Sequence, residues 1–358
     1  MRPRSFSDLL RWIEGEYREK GSIFGIHKSL FWRPKKERFF VPDLFGGPLL
    51  SPIGPAAGPN TQLTQNIVAS WLCGARYMEL KTVQIMDELE FGRPCIDVED
   101  EGYNAEWSQE LKLEQSVREY IKAWLLIPVL ERLLGWEGTE GAGGLIFNMS
   151  VGYNLEGILQ PRMQTFISRM LDASEELGEY REVLRREFPQ YADITAPSAL
   201  VNSVTLSTMH GCPPDEIGRI ARYLLEERKF HLFVKMNPTL LGRDEVRSIL
   251  NETLGYDGIE IPDPVFDHDL KYPQAVEIIR MMKEASARHG RFFGVKLTNT
   301  LAMYNYRRIM PGEEMYMSGR ALYPFSMNLW NRLNKEFGGD LNVSYSAGAD
   351  AENIAGIF

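Results

Sequence analysis

Three lysines stand at the ends of apolar runs: Lys81 in Glu79-Leu-Lys-Thr82, Lys235 in Val234-Lys-Met-Asn-Pro238 and Lys296 in Val295-Lys-Leu-Thr-Asn-Thr300. A lysine emerging among apolar strand residues is costly unless an anion meets it. That anion is either a carboxylate of the chain or a bound group. A flavin, whose pyrimidine end turns negative on taking up a hydride, is the kind of group a fixed lysine stabilises. The run Ser51-Pro-Ile-Gly-Pro-Ala-Ala-Gly-Pro-Asn60 offers a matching surface. At Ala57 and Gly58 a planar ring can lie against backbone without meeting side chains, and the competing use of such a run is a tight Gly/Pro turn. Thr82 and Thr298 stand beside the lysines as further cofactor contacts. Asn148, Thr205, Asn299 and Thr300 add short hydrogen-bonding groups at strand tips. They suit the edge of a pyrimidine- or orotate-like substrate, or the capping of strand ends.

A phosphate needs backbone N–H groups aimed at one point, as glycine turns at helix N-termini supply. Met317-Ser-Gly-Arg-Ala321, with Ser318 and Gly319, and Ser344-Tyr-Ser-Ala-Gly-Ala349, with Gly348, are the two candidates. For proton transfer the best segment is Ser207-Thr-Met-His-Gly-Cys-Pro-Pro214. Cys212 there precedes a helix start, which is expected to lower its pKa, and His210 lies two residues away. Cys212 as a small apolar turn residue is the alternative.

The elements that must carry these residues alternate: short apolar runs and amphipathic helical stretches, the pattern of βαβ units and a parallel sheet. Strands are expected at 49–56, 76–82, 144–150, 203–207, 231–236, 258–261, 293–298 and 341–346, and helices at 108–134, 164–188, 214–229, 273–289 and 325–337. The fold class expected is α/β, with one domain of residues 45–358 after a helical lead-in of 1–44. A net charge of −9 with no clustered basic stripe argues against a nucleic-acid partner and for a small-molecule substrate. No window approaches the roughly 20 apolar residues of a membrane span. The charged N-terminus lacks a secretory signal, so cytoplasm is the expected location. Cys73, Cys95 and Cys212 include no C-x-x-C pair, which leaves no metal motif.

In order along the chain, Pro55-Ala-Ala-Gly58, Lys81-Thr82, Lys235, Thr298-Asn-Thr300, Ser318-Gly-Arg-Ala321 and Gly348 resemble the contacts to FMN or substrate in dihydroorotate dehydrogenase-like barrels, including that domain of dihydropyrimidine dehydrogenase. More narrowly, SPIGPAAGPNTQLTQNIVASWL, ELKTVQIMDELE, CIDVEDEGYNAEWS and STMHGCPPDEI resemble the N-terminal part of selenate reductase-type large subunits. In these a barrel is joined to an FAD- and NAD(P)H-binding module and to ferredoxin-type 4Fe–4S segments. The resemblance implies a (β/α)8 TIM barrel whose last strand lies beyond Phe358, FMN as cofactor, a flavin-dependent, NAD(P)H-linked oxidoreductase, and other redox domains or subunits as partners. Two departures stand out. The family's Asn-Leu-Ser-Cys-Pro-Asn is here Thr205-Leu-Ser-Thr-Met-His210, which puts Thr208 at the catalytic cysteine position with Cys212 as substitute. The family's glycine pair before the late phosphate loop is altered here, to Ser346-Ala347-Gly348. These departures support a second reading, a cofactor-free barrel that serves as a structural or docking domain of a redox subunit.

Overall fold

A computed structural model describes residues 1–33, 41–87, 94–98, 103–105, 109–136, 144–207 and 212–357. The chain forms two compact units: Met1–Glu88, Ser108–Ser150 and Leu159–Ser203 make the first, and Leu89–Trp107, Val151–Ile158 and Val204–Phe358 the second.

The first unit opens with helix α1 (Phe6–Lys20), capped by the Ser5 hydroxyl at its N-terminus and closed by Gly21. Helix α2 (Thr64–Leu72), strand β1 (Tyr77–Glu79), helix α3 (Leu113–Leu133) and strand β2 (Ile146–Val151) follow. The two strands are parallel, with Tyr77 opposite Ile146 and Glu79 opposite Asn148. The strand expected at 49–56 is replaced by a short hairpin, Val41–Leu44 with Gly47–Leu49, and an irregular extended run. That run lies along β1 by accepting bonds at Ile53 and Pro55 from Arg76 and Glu79. Pro52 and Pro55 have no N–H to give back, so no ladder forms. Gly54 permits the approach, because a Cβ there would lie 1.4 Å from the Tyr77 carbonyl oxygen.

The helix expected over 164–188 is two helices, α4 (Pro161–Leu171) and α5 (Ser174–Glu187). Asp172 leaves the helical conformation at φ −150°, and its carboxylate accepts from the N–H and hydroxyl of Ser174, a local side-chain turn that competes with continuing the helix. Helix α3 is buried nearly all round and carries the buried pair Glu119 and Lys122. Glu119 also accepts from the N–H of Thr64 at 2.8 Å and from its hydroxyl at 2.7 Å, so the pair ties α3 to α2. Lys122 therefore shows how this chain holds a lysine whose work is structural.

The second unit contains strand β3 (Ser203–Leu206), helix α6 (Pro214–Arg222), strand β4 (His231–Met236), helix α7 (Tyr272–His289), strand β5 (Phe293–Leu297), helix α8 (Tyr323–Glu336) and strand β6 (Val343–Tyr345). Its strands are ordered β6–β5–β4–β3. Leu232 lies opposite Phe293 and Met236 opposite Leu297, while Val295 lies opposite Val343 and Leu297 opposite Tyr345, both pairs parallel. The residues of β5 are buried throughout, as fits a parallel strand covered on both faces. Because β4 and β5 pair directly, the run at 258–261 has no place in the sheet. It is an irregular connection that starts in a turn, with the N–H of Ile259 donating to Tyr256, and its Glu260 carbonyl accepts from the N–H of Tyr304.

Two hairpins escaped the sequence pattern: Leu301–Tyr304 with Glu314–Met317, and Ile96–Val98 with Tyr103–Ala105. The first follows β5, and the two are joined by the N–H of Tyr316 donating to Cys95. Among the described residues no helix is long and apolar enough to cross a membrane, and no group of His, Cys, Asp and Glu side chains is placed to hold a metal ion.

Candidate functional site

In the second unit three successive strands bring their C-terminal ends to one edge of the sheet. Lys235 on β4 lies directly opposite Lys296 on β5, which in turn lies opposite Ser344 on β6. Side chains alternate along a strand, so residues in register share a face. Lys235 is half-buried and Lys296 is 3% exposed. Burial pushes the ammonium of Lys235 down to about 8 and that of Lys296 down to about 7. Leaving water disfavours the charged form of an amine, and an anionic ligand would restore it.

Beyond Lys296 the chain turns at Thr298, whose hydroxyl shares a 2.8 Å hydrogen bond with that of Ser326 on α8, both buried. Asn299 donates its N–H to Met236 at 2.8 Å and accepts at its side-chain oxygen from the N–H of Thr300. These bonds position the Thr-Asn-Thr turn against the end of β4. Part of the edge-reading capacity expected of Asn299 is thus taken up by backbone.

The two glycine turns meet. Ser318 is extended, Gly319 takes φ +62°, and a single helical turn, Gly319–Leu322, leads into α8. Gly348 takes φ +70° and presses on this segment so closely that a Cβ would lie 2.3 Å from Cα of Arg320. The N–H of Ser346 donates to Leu297 at 2.6 Å, which ties the second turn to the end of β5. Asn353 donates to the Gly348 carbonyl at 2.9 Å and accepts from the N–H of Asp350. Both candidate phosphate turns therefore converge at the edge where Lys235 and Thr298 emerge.

Cys212 stands just before α6, as expected, and is half-buried. Its pKa moves opposite to expectation. Burial first, then the charges of Glu216 and Asp215, push the thiol up to about 11. Burial outweighs the local dipole of the helix, and the carboxylates in the first turn of α6 add to it. In a Cys73→Ser/Cys95→Ser background, alkylation of Cys212 by iodoacetamide should be slow at about pH 7.5 and should climb about tenfold per pH unit toward 11. A rate that levels off below about pH 8 would contradict a protonated thiol. Thr208 and His210 lie outside the described residues. Thr205 is buried on β3.

In the first unit, Glu79 and Asn148 are in-register neighbours and both fully enclosed. The Glu79 carboxylate accepts from the N–H of Ala57 at 3.1 Å, so this donor of the Ala57-Gly58 turn is engaged by the protein itself. The Gly58 N–H donates to the Thr61 hydroxyl at 3.1 Å. Lys81, two residues after Glu79, is 5% exposed, its N–H donates to Thr61 and its carbonyl accepts from the Tyr120 hydroxyl. The Thr82 hydroxyl is 2.7 Å from that of Ser150, two residues beyond Asn148.

Sequence reasoning gave no part to Ser326, Arg320 or the Glu79–Ala57 bond. A serine among the apolar positions of α8 was a visible signal for the first. Arg320 was quoted only as part of its turn, since its contact with Gly348 spans a whole helix and strand. Glu79 shares the alternation of Lys81 and was legible as a second buried charge on that face.

Residues 24–358 match the family described as oxidoreductase YgfK, N-terminal TIM-barrel domain. The chain belongs to this family. The α/β class expected from the alternating pattern and the TIM barrel implied by the resemblance both agree with this family, whose domain is a TIM barrel. Two curated relatives, each named "Putative oxidoreductase YgfK", come from Escherichia coli strain K12 and Escherichia coli O157:H7. Each is 48% identical over 377 residues, covering 100% of this chain and 36% of the relative. The chain therefore spans little more than a third of their length. Among solved structures it is similar to the ligand-free dihydroorotate dehydrogenase of Eimeria tenella, with a TM-score of 0.47 and 13% identity over 98% of this chain and 84% of that one. The ferulenol complex of that enzyme gives a TM-score of 0.45 at 14% identity over 97% and 80%.

Proposed function

We propose that this YgfK-type oxidoreductase domain binds FMN at the strand ends of its second unit and exchanges hydride or electrons there with a small planar substrate. One observation carries the reading. Successive parallel strands deliver Lys235, the Thr298 turn and the two touching glycine turns of Gly319 and Gly348 to a single edge of the sheet. FMN would supply a ring that accepts or gives up a hydride. For such a group the residues present fit: glycine turns with exposed backbone suit its phosphate, and a desolvated lysine suits a ring that becomes negative. Lys235 favours the reduced, anionic form over the oxidised one. The Thr298 turn, anchored through its hydroxyl to Ser326, would border the ring edge. Cys212, held protonated, acts as a proton donor more readily than as a base.

In the longer relatives the domain would pass electrons to other redox parts. The selenate reductase-like, NAD(P)H-linked role, with FAD and 4Fe–4S groups carried elsewhere, belongs to that proposal and rests on the sequence resemblance. The second reading, a barrel without cofactor that serves as a docking domain, is favoured by the bond from Ala57 to Glu79, which engages a donor of the expected ring-binding turn. Reconstitution separates the two. The purified chain mixed with FMN and passed through a desalting column should retain a flavin absorbance near one equivalent. A colourless eluate would overturn the FMN reading in favour of the second.

A further inference from the structure

We infer that Lys296 is a second, indirect cation of the same site, set beside Lys235 so that its charge strengthens the preference for a reduced, anionic ring without touching it. This rests on the FMN reading above and goes beyond it, because that reading uses Lys235 alone. The geometric basis is the register: Lys235 and Lys296 are paired on adjacent parallel strands, on the same face and one residue before each strand ends. Neighbouring strands run about 4.8 Å apart, so the two stems leave the sheet side by side. Their environments differ in a way that assigns the roles. Lys235 keeps accessible surface, whereas Lys296 is enclosed at 3% exposure. Lys235 is thus the lysine able to contact a ligand, and Lys296 acts through its field.

On the side away from the strand ends that field is shielded from water. Two residues toward the N-terminal ends of the strands, the Phe233 ring fills the space beside Gly294 and lies 5.3 Å from the Phe292 ring at a 52° tilt, which places aromatic carbon on that side of the pair. A unit charge about 5 Å from another in such surroundings is worth several-fold more than in water. Both amines lie below their ordinary range through burial, and a ligand that gains negative charge offsets the cost of keeping both protonated. The oxidised ring gains little from this and the reduced ring gains much. The effect should therefore fall on the ratio of the two affinities and only weakly on oxidised FMN alone.

The test uses the purified chain, Lys296→Met and Lys296→Gln, each checked for a native circular dichroism spectrum. Dissociation constants for oxidised FMN come from fluorescence quenching, and the midpoint potential of the bound flavin then yields the ratio of reduced to oxidised affinity. Both variants should bind oxidised FMN within about threefold of the parent while that ratio falls about tenfold, equivalent to about 30 mV for a two-electron couple. Two neutral side chains of different polarity should agree, which a packing effect would not require. FMN retained with an unchanged ratio in either folded variant overturns the role of Lys296 and leaves the FMN reading standing. Failure of the parent chain to bind FMN overturns the FMN reading, and this inference with it.

Discussion

Gly348→Ala should abolish stable FMN binding, raising the dissociation constant at least about a hundredfold in a fluorescence titration. Two costs add. The residue occupies φ +70°, where an alanine loses about 1 kcal/mol or more. Its Cβ would also lie 2.3 Å from Cα and 2.6 Å from N of Arg320, and backbone at that distance has to move. What moves is the Ser318–Arg320 segment, the other half of the proposed phosphate cradle. Gly319 provides the control, because it has a similar φ of +62° but open space, with nothing within 4 Å of where an alanine methyl would sit. Gly319→Ala should therefore carry the cost of backbone strain alone, with a loss of about tenfold or less. Equal affinities for Gly348→Ala and the parent would show that the two turns do not hold the ligand together.

Lys235→Met should move function and stability in opposite directions. FMN affinity, measured for the reduced ring, should fall about a hundredfold, since the cation that meets its negative edge is gone. The apo protein, by contrast, should melt at a higher temperature at about pH 7. Burial holds this ammonium near 8, against about 10.4 for a lysine in the unfolded chain. Between those values the unfolded chain binds the proton that the folded chain has shed, so this lysine's contribution to stability rises with pH through the window. Below about 8 its full penalty is present. The advantage of Lys235→Met should therefore be largest at or below about pH 7 and shrink toward about pH 10. Thermal melts of the two apo proteins at about pH 7 and about pH 9.5 give the comparison. A lower melting temperature for the variant at the lower pH would mean that Lys235 has a structural role, as Lys122 does through its ion pair with Glu119.

Strand β4 was legible to the residue and β5 nearly so, because unbroken apolar runs ending in Lys-Met-Asn-Pro and Lys-Leu-Thr-Asn carry a local signal of both kind and terminus. The start of α6 at Pro214 was equally local, with prolines and acids in its first turn. The 258–261 run had the same local character as β5 and took no place in the sheet. Which of two apolar runs joins a sheet depends on the partner strand, and the direct pairing of Leu232 with Phe293 excludes the other. The 49–56 run failed for a reason visible in its own prolines. The split between α4 and α5 was likewise written in Asp172 and Ser174, whose local side-chain turn competes with a continuous helix.

The candidate site divides along the same line. By itself the sequence determined the inventory: lysines at strand ends, glycines in two late turns, a cysteine before a helix and short polar groups at strand tips. Those placements follow from alternation along a strand and from the first turn of a helix, which are properties of a few consecutive residues. Only the tertiary structure decided that Lys235 faces Lys296, that Gly348 touches Arg320, and that Glu79 takes the Ala57 N–H. It also reversed the expected shift of Cys212, because burial and two carboxylates outweigh one helix end. Each of these depends on register, close approach or desolvation, and none is a property of neighbours in the chain.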